Sequence, residues 1–291
     1  MGRRIDAALL GWLNAPDAEN LYRGLSVEDP SNFGEFRKLR AAAEARCGAL
    51  VGLAPTDSAA HTIKSVPLGI QPAADEIEAG DIFLRHYALH GARIQSIAVA
   101  NLLTPQVVVD LEYVEELVDG LPAPRNNAGL LRFCFDEGAV DDPALIGVNG
   151  LMLSTQGRNL APPEPLAWER VGAGRLAVSF EVRTRPNFLW LGILQETGQV
   201  IVLNGVHHVL ALLAAHRPRV FAAVSLTSIQ GGLINLAEPG ILKPNRLQAP
   251  RPALVRDFLD HGLRDEVQVR ALDQYLKVAV QSELGVAPRI T

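Results

Sequence analysis

The chain has 291 residues, 48% hydrophobic and 20% charged, with a net charge of −5 from 27 basic and 32 acidic residues. This balance excludes an intrinsically disordered chain and leaves apolar material for one large domain or two small ones. It also lacks the basic surplus of a protein whose work is gripping nucleic acid, so nucleic acid is not an expected partner.

Two cysteines, Cys47 and Cys134, are too few for a disulfide framework in a chain this long, and neither belongs to a CxxC metal pattern. Both sit among apolar residues and read as buried thiols in a reducing compartment. No apolar run approaches the roughly 18 residues of a membrane span. The start, Met1-Gly2-Arg3-Arg4 with an apolar stretch over 5–13, lacks a clear small-residue cleavage site, and Gly2 lacks a myristoylation context. These features predict a soluble, cytoplasmic protein with no membrane span.

In chain order, residues 1–60 read as helical. Ser31 is a candidate N-cap, and Phe33, Phe36, Leu39 and Ala43 recur at helical spacing up to a stop near Gly48. The cluster Arg37, Lys38 and Arg40, offset by Glu35 and Glu44, reads as a solvated helix face. Residues 54–80, with Pro55, Pro67 and Pro72, read as a long connection. Residues 81–90 fit helix or strand. A β-type run over 96–100 leads into a turn at Thr104-Pro105-Gln106. Asp110 then caps a helix with Leu111, Val114, Leu117 and Val118 on one face, ended by Gly120 and Pro122. Strands are predicted around 129–135, 147–154, 175–183 and 189–195, and Thr197-Gly198 reads as a hairpin turn into a strand over 200–203. Val206, Val209, Leu210 and Leu213 then mark a helix, and 220–224 a buried strand. Residues 254–259 and 265–284 read as helical.

Three of these pieces carry a resemblance. The first is the Thr104-Pro105-Gln106 turn followed by the helix with Glu112-Tyr113-Val114-Glu115-Glu116-Leu117. The second is strand 200–203 running into Asn204-Gly205-Val206-His207-His208 and its helix. The third is the returning strand 220–224. Together they resemble the ParB/sulfiredoxin superfamily over residues 94–120 and 188–225. In that family a strand ending in Asp-Gly-x-(His/Arg)-Arg opens a helix whose start binds phosphate. The resemblance implies an α/β (α+β) fold with a ParB/sulfiredoxin-like mixed sheet and helical N-terminal and C-terminal extensions. The divisions it suggests are a mainly helical extension over 1–93, the family domain over 94–225 with an insertion at about 121–175, and a helical tail over 226–291.

A helix start offers unpaired N–H groups and a partial positive charge, and a glycine there lets an anion come close. The implied anion or nucleotide site consists of Asn204, Gly205, His207 and His208. Thr104, Gln106 and Glu116 would face it, and Arg185 and Asn187 would supply the missing cation. The family motif is altered here. His208 stands where the phosphate-gripping arginine would be, and it offers no fork of donors. Asn204 replaces the aspartate. The turn has no cysteine, which disfavours sulfiredoxin chemistry. The absence of a helix-turn-helix pattern after residue 225 disfavours a DNA-clamp role. The reading is therefore a ligand-binding or protein-interaction subunit, with a protein partner, a homo-oligomer or a small phosphorylated ligand as candidate partners. The alternative is a nucleotide-dependent enzyme such as a free-serine-type kinase, with a nucleotide, and Mg only in that case, as cofactor. No catalytic residue is assigned.

Three other signals are weighed against simpler readings. His86 and His90 share a helix face at a metal-ligand spacing, but no Glu sits between them in the protease pattern and Gly91 limits the helix, so no metal is expected. Asp257, Asp260 and His261 read as a surface helix end. Trp12, Trp168 and Trp190 read as core or interface residues.

Overall fold

A computed structural model describes residues 3–25, 33–49, 63–135, 144–145, 150–155, 167–172, 175–179, 188–230, 240–270 and 274–279. The chain divides into two compact units. One comprises Met1–Asp136 with Asn187–Ala271, and the other Glu137–Pro186 with Leu272–Thr291. Helices and mixed sheets together make it an α+β protein, as its sequence predicts.

The first unit holds the candidate site. Its larger sheet has five strands in the order β10-β9-β11-β3-β2, namely Val200–Asn204, Trp190–Leu194, Arg219–Thr227, Arg93–Ala98 and Ile63–Lys64. β9 and β10 form the antiparallel hairpin expected around Thr197-Gly198, where Gly198 takes φ +69°. β11 runs parallel to β9 and antiparallel to β3. It is buried over most of its length, which suits its run of Val, Phe and Ala. A smaller antiparallel sheet orders β12 (Asp265–Arg270), β1 (Arg3–Ala8) and β4 (Val108–Asp110).

The helices are α1 (Ala15–Leu25), α2 (Phe33–Gly48), α3 (Gln71–Ala79), α4 (Asp81–His86), α5 (Leu111–Asp119), α6 (Asn127–Cys134), α7 (Val206–Ala214) and the short α8 (Pro244–Leu247). α5 begins where Asp110 predicts. Its Oδ1 accepts the Tyr113 N–H at 3.1 Å. α7 is buried nearly all round: Val206, Val209, Leu210, Ala211 and Leu212 are in the core. It is a core helix rather than a half-exposed amphipathic one.

Segment 102–104 ties these parts together. The Leu103 N–H donates to the Val200 carbonyl and its own carbonyl accepts the Val202 N–H. On the other side, the Thr104 N–H donates to the Ala253 carbonyl and the Val255 N–H to that of Leu102. Leu103 itself is fully buried.

Three local expectations are corrected. Residues 3–8 form a strand rather than a helix, because the small side chains of Ala7 and Ala8 fit without exposure between β12 and β4. Residues 127–134 form a helix rather than a strand. Asn126 Oδ1 caps it by accepting the Gly129 N–H at 2.8 Å, and Leu131 and Cys134 are buried at helical spacing. Residues 265–270 and 274–279 form strands rather than one helix. The alternation of Val267 and Val269 with polar neighbours is a period of two. Ser31 lies outside the described residues.

The second unit pairs β13 (Gln274–Ala279) with β6 (Gly150–Thr155) and β6 with β5 (Ala144–Leu145). Its β7 (Ala167–Gly172) and β8 (Arg175–Ser179) form a separate hairpin.

Candidate functional site

The turn after β10 has the strand-glycine-helix geometry expected of it. Gly205 takes φ +91°, in the left-handed region, and is the N-cap of α7. A Cβ at this position would lie 2.6 Å from Leu189 Cδ1, so both backbone angle and space require glycine. The α7 start has no side-chain cap and no acidic residue in its first turn.

Of the side chains expected to form the site, Asn204, His207, Thr104 and Gln106 are hydrogen-bonded within the fold. Asn204 Nδ2 donates to the Phe188 carbonyl at 2.8 Å and fastens the turn to the strand beside it. His207 Nε2 accepts the backbone N–H of Asp110 at 3.1 Å, so that nitrogen carries no proton in this arrangement. The His207 ring stands edge-on to Tyr113, with centroids 5.4 Å apart. The residue thus links the start of α5 to the start of α7. His208 is buried, its ring edge-on to Phe133 of α6 at 5.0 Å.

On the facing turn, Thr104 is fully buried and its Oγ1 donates to the Gln106 carbonyl at 2.8 Å. Gln106 Nε2 donates to the Val108 carbonyl at 2.6 Å. These bonds shape the turn into β4. Glu116 is exposed in the second half of α5. Arg185 and Asn187 lie outside the described residues. Asn204, Gly205, His207 and His208 therefore share one turn, and Asp110, the α5 cap, joins it through His207. That role for Asp110 was not read from the sequence, which identified only its capping.

His86 lies beside Tyr87, with ring centroids 6.4 Å apart. The His90 ring packs on Trp190 with centroids 5.3 Å apart, and both histidines are exposed. Among the described residues no group of three or more His, Cys, Asp or Glu is placed to hold a metal ion, and no helix is long and apolar enough to cross a membrane.

A second polar centre lies where the sequence suggested a surface helix end. Asp260 and His261 are exposed, but Asp257 is not. Its Oδ1 accepts Arg251 Nη2 at 2.6 Å, and the two side chains are 3% and 8% exposed. Asp257 Oδ2 also accepts the Leu254 N–H at 2.8 Å. The Arg251 guanidinium lies 5.7 Å from the Trp12 ring centroid, and Trp12 Nε1 donates to the Arg251 carbonyl. Nearby, Arg46 Nη2 binds Asp265 Oδ1 at 2.8 Å. Burial pushes the Asp265 carboxyl above its usual range, against the opposing pull of Arg46. Cys47 lies within reach of both ion pairs. Burial, then the charge of Asp257, push its thiol up to about 12. Burial does the same to the fully enclosed Cys134, also to about 12. Neither thiol is activated as a nucleophile. A sequence signal for this centre was present: Asp257 lies between the apolar Val255 and Phe258, both buried.

The chain matches no family model, no curated protein and no solved structure. What the structure itself defines is an α+β protein with a glycine-started core helix after a strand.

Proposed function

We propose that this chain is a divergent ParB/sulfiredoxin-like subunit that acts by binding, to a protein partner or to another copy of itself, and not by catalysis. The observation that supports this reading is the engagement of the turn's side chains. Asn204, Thr104 and Gln106 spend their donors on the fold's own carbonyls, and His207 Nε2 is occupied by the Asp110 N–H. A group held in this way is not placed to move a proton or grip a phosphate. The test is incubation of the full chain with nucleoside triphosphates, Mg and free serine. No nucleotide hydrolysis and no phosphoserine above the protein-free rate is the expected result. Turnover of either would overturn the reading.

One observation favours retained anion binding at the same turn. Gly205 leaves the start of α7 without a side-chain cap, and its first turn holds no acidic residue, a helix start whose partial positive charge suits an anion. Inorganic phosphate and nucleotides added to labelled protein at constant ionic strength should shift the amide signals of residues 205–208. Unchanged signals at millimolar phosphate would remove the anion from the proposal. Gly205 variants cannot serve here, because they disturb the turn itself.

A further inference from the structure

A helix cap is fastened twice over when both groups of the capping residue are used. Its side chain accepts an N–H of the first turn, and its own N–H finds an acceptor, ordinarily a Glu or Gln three residues on. Asp110 caps α5 in the first sense, its Oδ1 accepting the Tyr113 N–H at 3.1 Å. The second half is not local. The residue three positions on is Tyr113, which has neither carboxylate nor amide. The Asp110 N–H donates instead to His207 Nε2 in the first turn of α7, at 3.1 Å, and Tyr113 sets its ring edge-on to that imidazole. His207 thus completes the α5 cap from another helix.

The exchange of a carboxylate for an imidazole makes the bond sensitive to pH. A backbone N–H only donates, so the nitrogen facing it carries no proton. A doubly protonated imidazole has no acceptor on either nitrogen, and turning the ring over does not restore the bond. The bonds of Asn204, Thr104 and Gln106 use amide and hydroxyl donors, which keep their protons across the range of about pH 5 to 8 in which histidine changes charge.

Among the described residues, α7 packs against α5, β4, β11 and the 3-10 turn Val255–Leu259. α5 carries Glu112, Glu115, Glu116 and Asp119, all exposed, and β4 ends at Asp110. Asp6 of β1 is buried directly opposite Asp110. The 3-10 turn contributes the exposed Arg256 and the Arg251-bound Asp257, and β11 contributes Arg219, which donates to Ser96. On α7 itself the neighbour is His208, against Phe133. The carboxylates favour an imidazolium, while the arginines and the positive starts of both helices oppose it. These charges move the pH at which the ring titrates and leave the sign unchanged. The link is complete while the ring is neutral and is lost as pH falls through the ring's titration.

We infer that His207 is a pH-sensitive latch: neutral, it ties the start of α5 to the start of α7; protonated, it releases the Asp110 N–H and loosens the junction of the two helices at the 204–208 turn. The latch works whether or not the turn binds a ligand or a partner.

The test is a titration of the labelled full chain from about pH 8 to about pH 5, following the His207 ring signals, the Asp110 amide shift and the protection of that amide relative to its intrinsic exchange rate. The Asp110 shift should move with the midpoint of the His207 ring, and its protection should fall about fivefold across that step. In His207→Gln the side-chain carbonyl accepts at every pH, so the step should vanish. A ring that titrates while the Asp110 amide stays unchanged overturns the latch, as does a ring that stays neutral throughout. The same step in His207→Gln also overturns it, by assigning the change to Asp110 or Asp6. Should the variant not fold, the comparison of ring and amide midpoints in the native chain decides alone.

Discussion

The turn at 204–208 and the Arg251–Asp257 pair are both polar features of the first unit, and they use polarity in opposite ways. At the turn, uncharged or neutral side chains are distributed singly, each satisfying one backbone group. At the pair, two full charges are withdrawn from water and depend on each other. Removing one member of the first set leaves a single backbone group to find water. Removing one member of the second leaves a charge in the core. The difference teaches that the motif-like site is the more forgiving of the two, and the feature without a motif the more fragile.

Four experiments test that ordering. The largest effect is expected from Arg251→Ala. It strands the Asp257 carboxylate and should cost about 3–5 kcal/mol in urea unfolding, whereas the paired replacement Arg251→Met/Asp257→Leu should recover most of it. If the single variant costs no more than the turn variants below, the comparison fails. Next is Gly205→Ala. A side chain at φ +91° against Leu189 should cost about 1–3 kcal/mol. His207→Ala should cost about 1 kcal/mol and speed exchange of the Asp110 amide, because that N–H loses its acceptor. An unchanged Asp110 exchange rate would show that the link between the helix starts carries little.

The smallest effect is pH-dependent. The Asp265 carboxyl is raised by burial in the folded state. Its contribution to stability is therefore fully present below its unfolded value of about 3.9 and is lost as pH rises through the higher folded value. Stability curves for the native chain and Asp265→Asn should diverge over that window, moving in favour of the asparagine as pH rises. Parallel curves would show that Arg46 fully offsets the burial.

Much of the first unit was legible because its signals are local. Asp110 with the apolar positions of α5, the Thr197-Gly198 hairpin, and the strand-Gly-helix join at 203–206 each depend on a few neighbouring residues. What misled was competition between local patterns. Leu130, Leu131 and Phe133 look like a strand until the Asn126 cap is weighed, and Val267 with Val269 was outweighed by the helix-forming residues after it. The use of the site's side chains was not legible, because the acceptors lie far off in the chain: Phe188 for Asn204, and for His207 a donor at Asp110. The Arg251–Asp257 pair was missed because charges near a chain's polar stretches are usually solvated, and only the enclosing Val255, Phe258 and Trp12 make this pair an exception.

The clasp on Leu103 has a kinetic meaning as well. Leu103's partner Val200 lies about a hundred residues on, and Ala253, the partner of the adjoining Thr104, about a hundred and fifty, so closing the clasp means forming two very long loops before any contact rewards them. A chain emerging from the ribosome must carry residues 102–104, all buried or nearly so in the fold, with one side unpaired until residue 202 has appeared and the other until residue 255. The side of this segment that meets 253–255 is then open for most of the synthesis time, and that interval is when this protein is most exposed to aggregation and most in need of a chaperone.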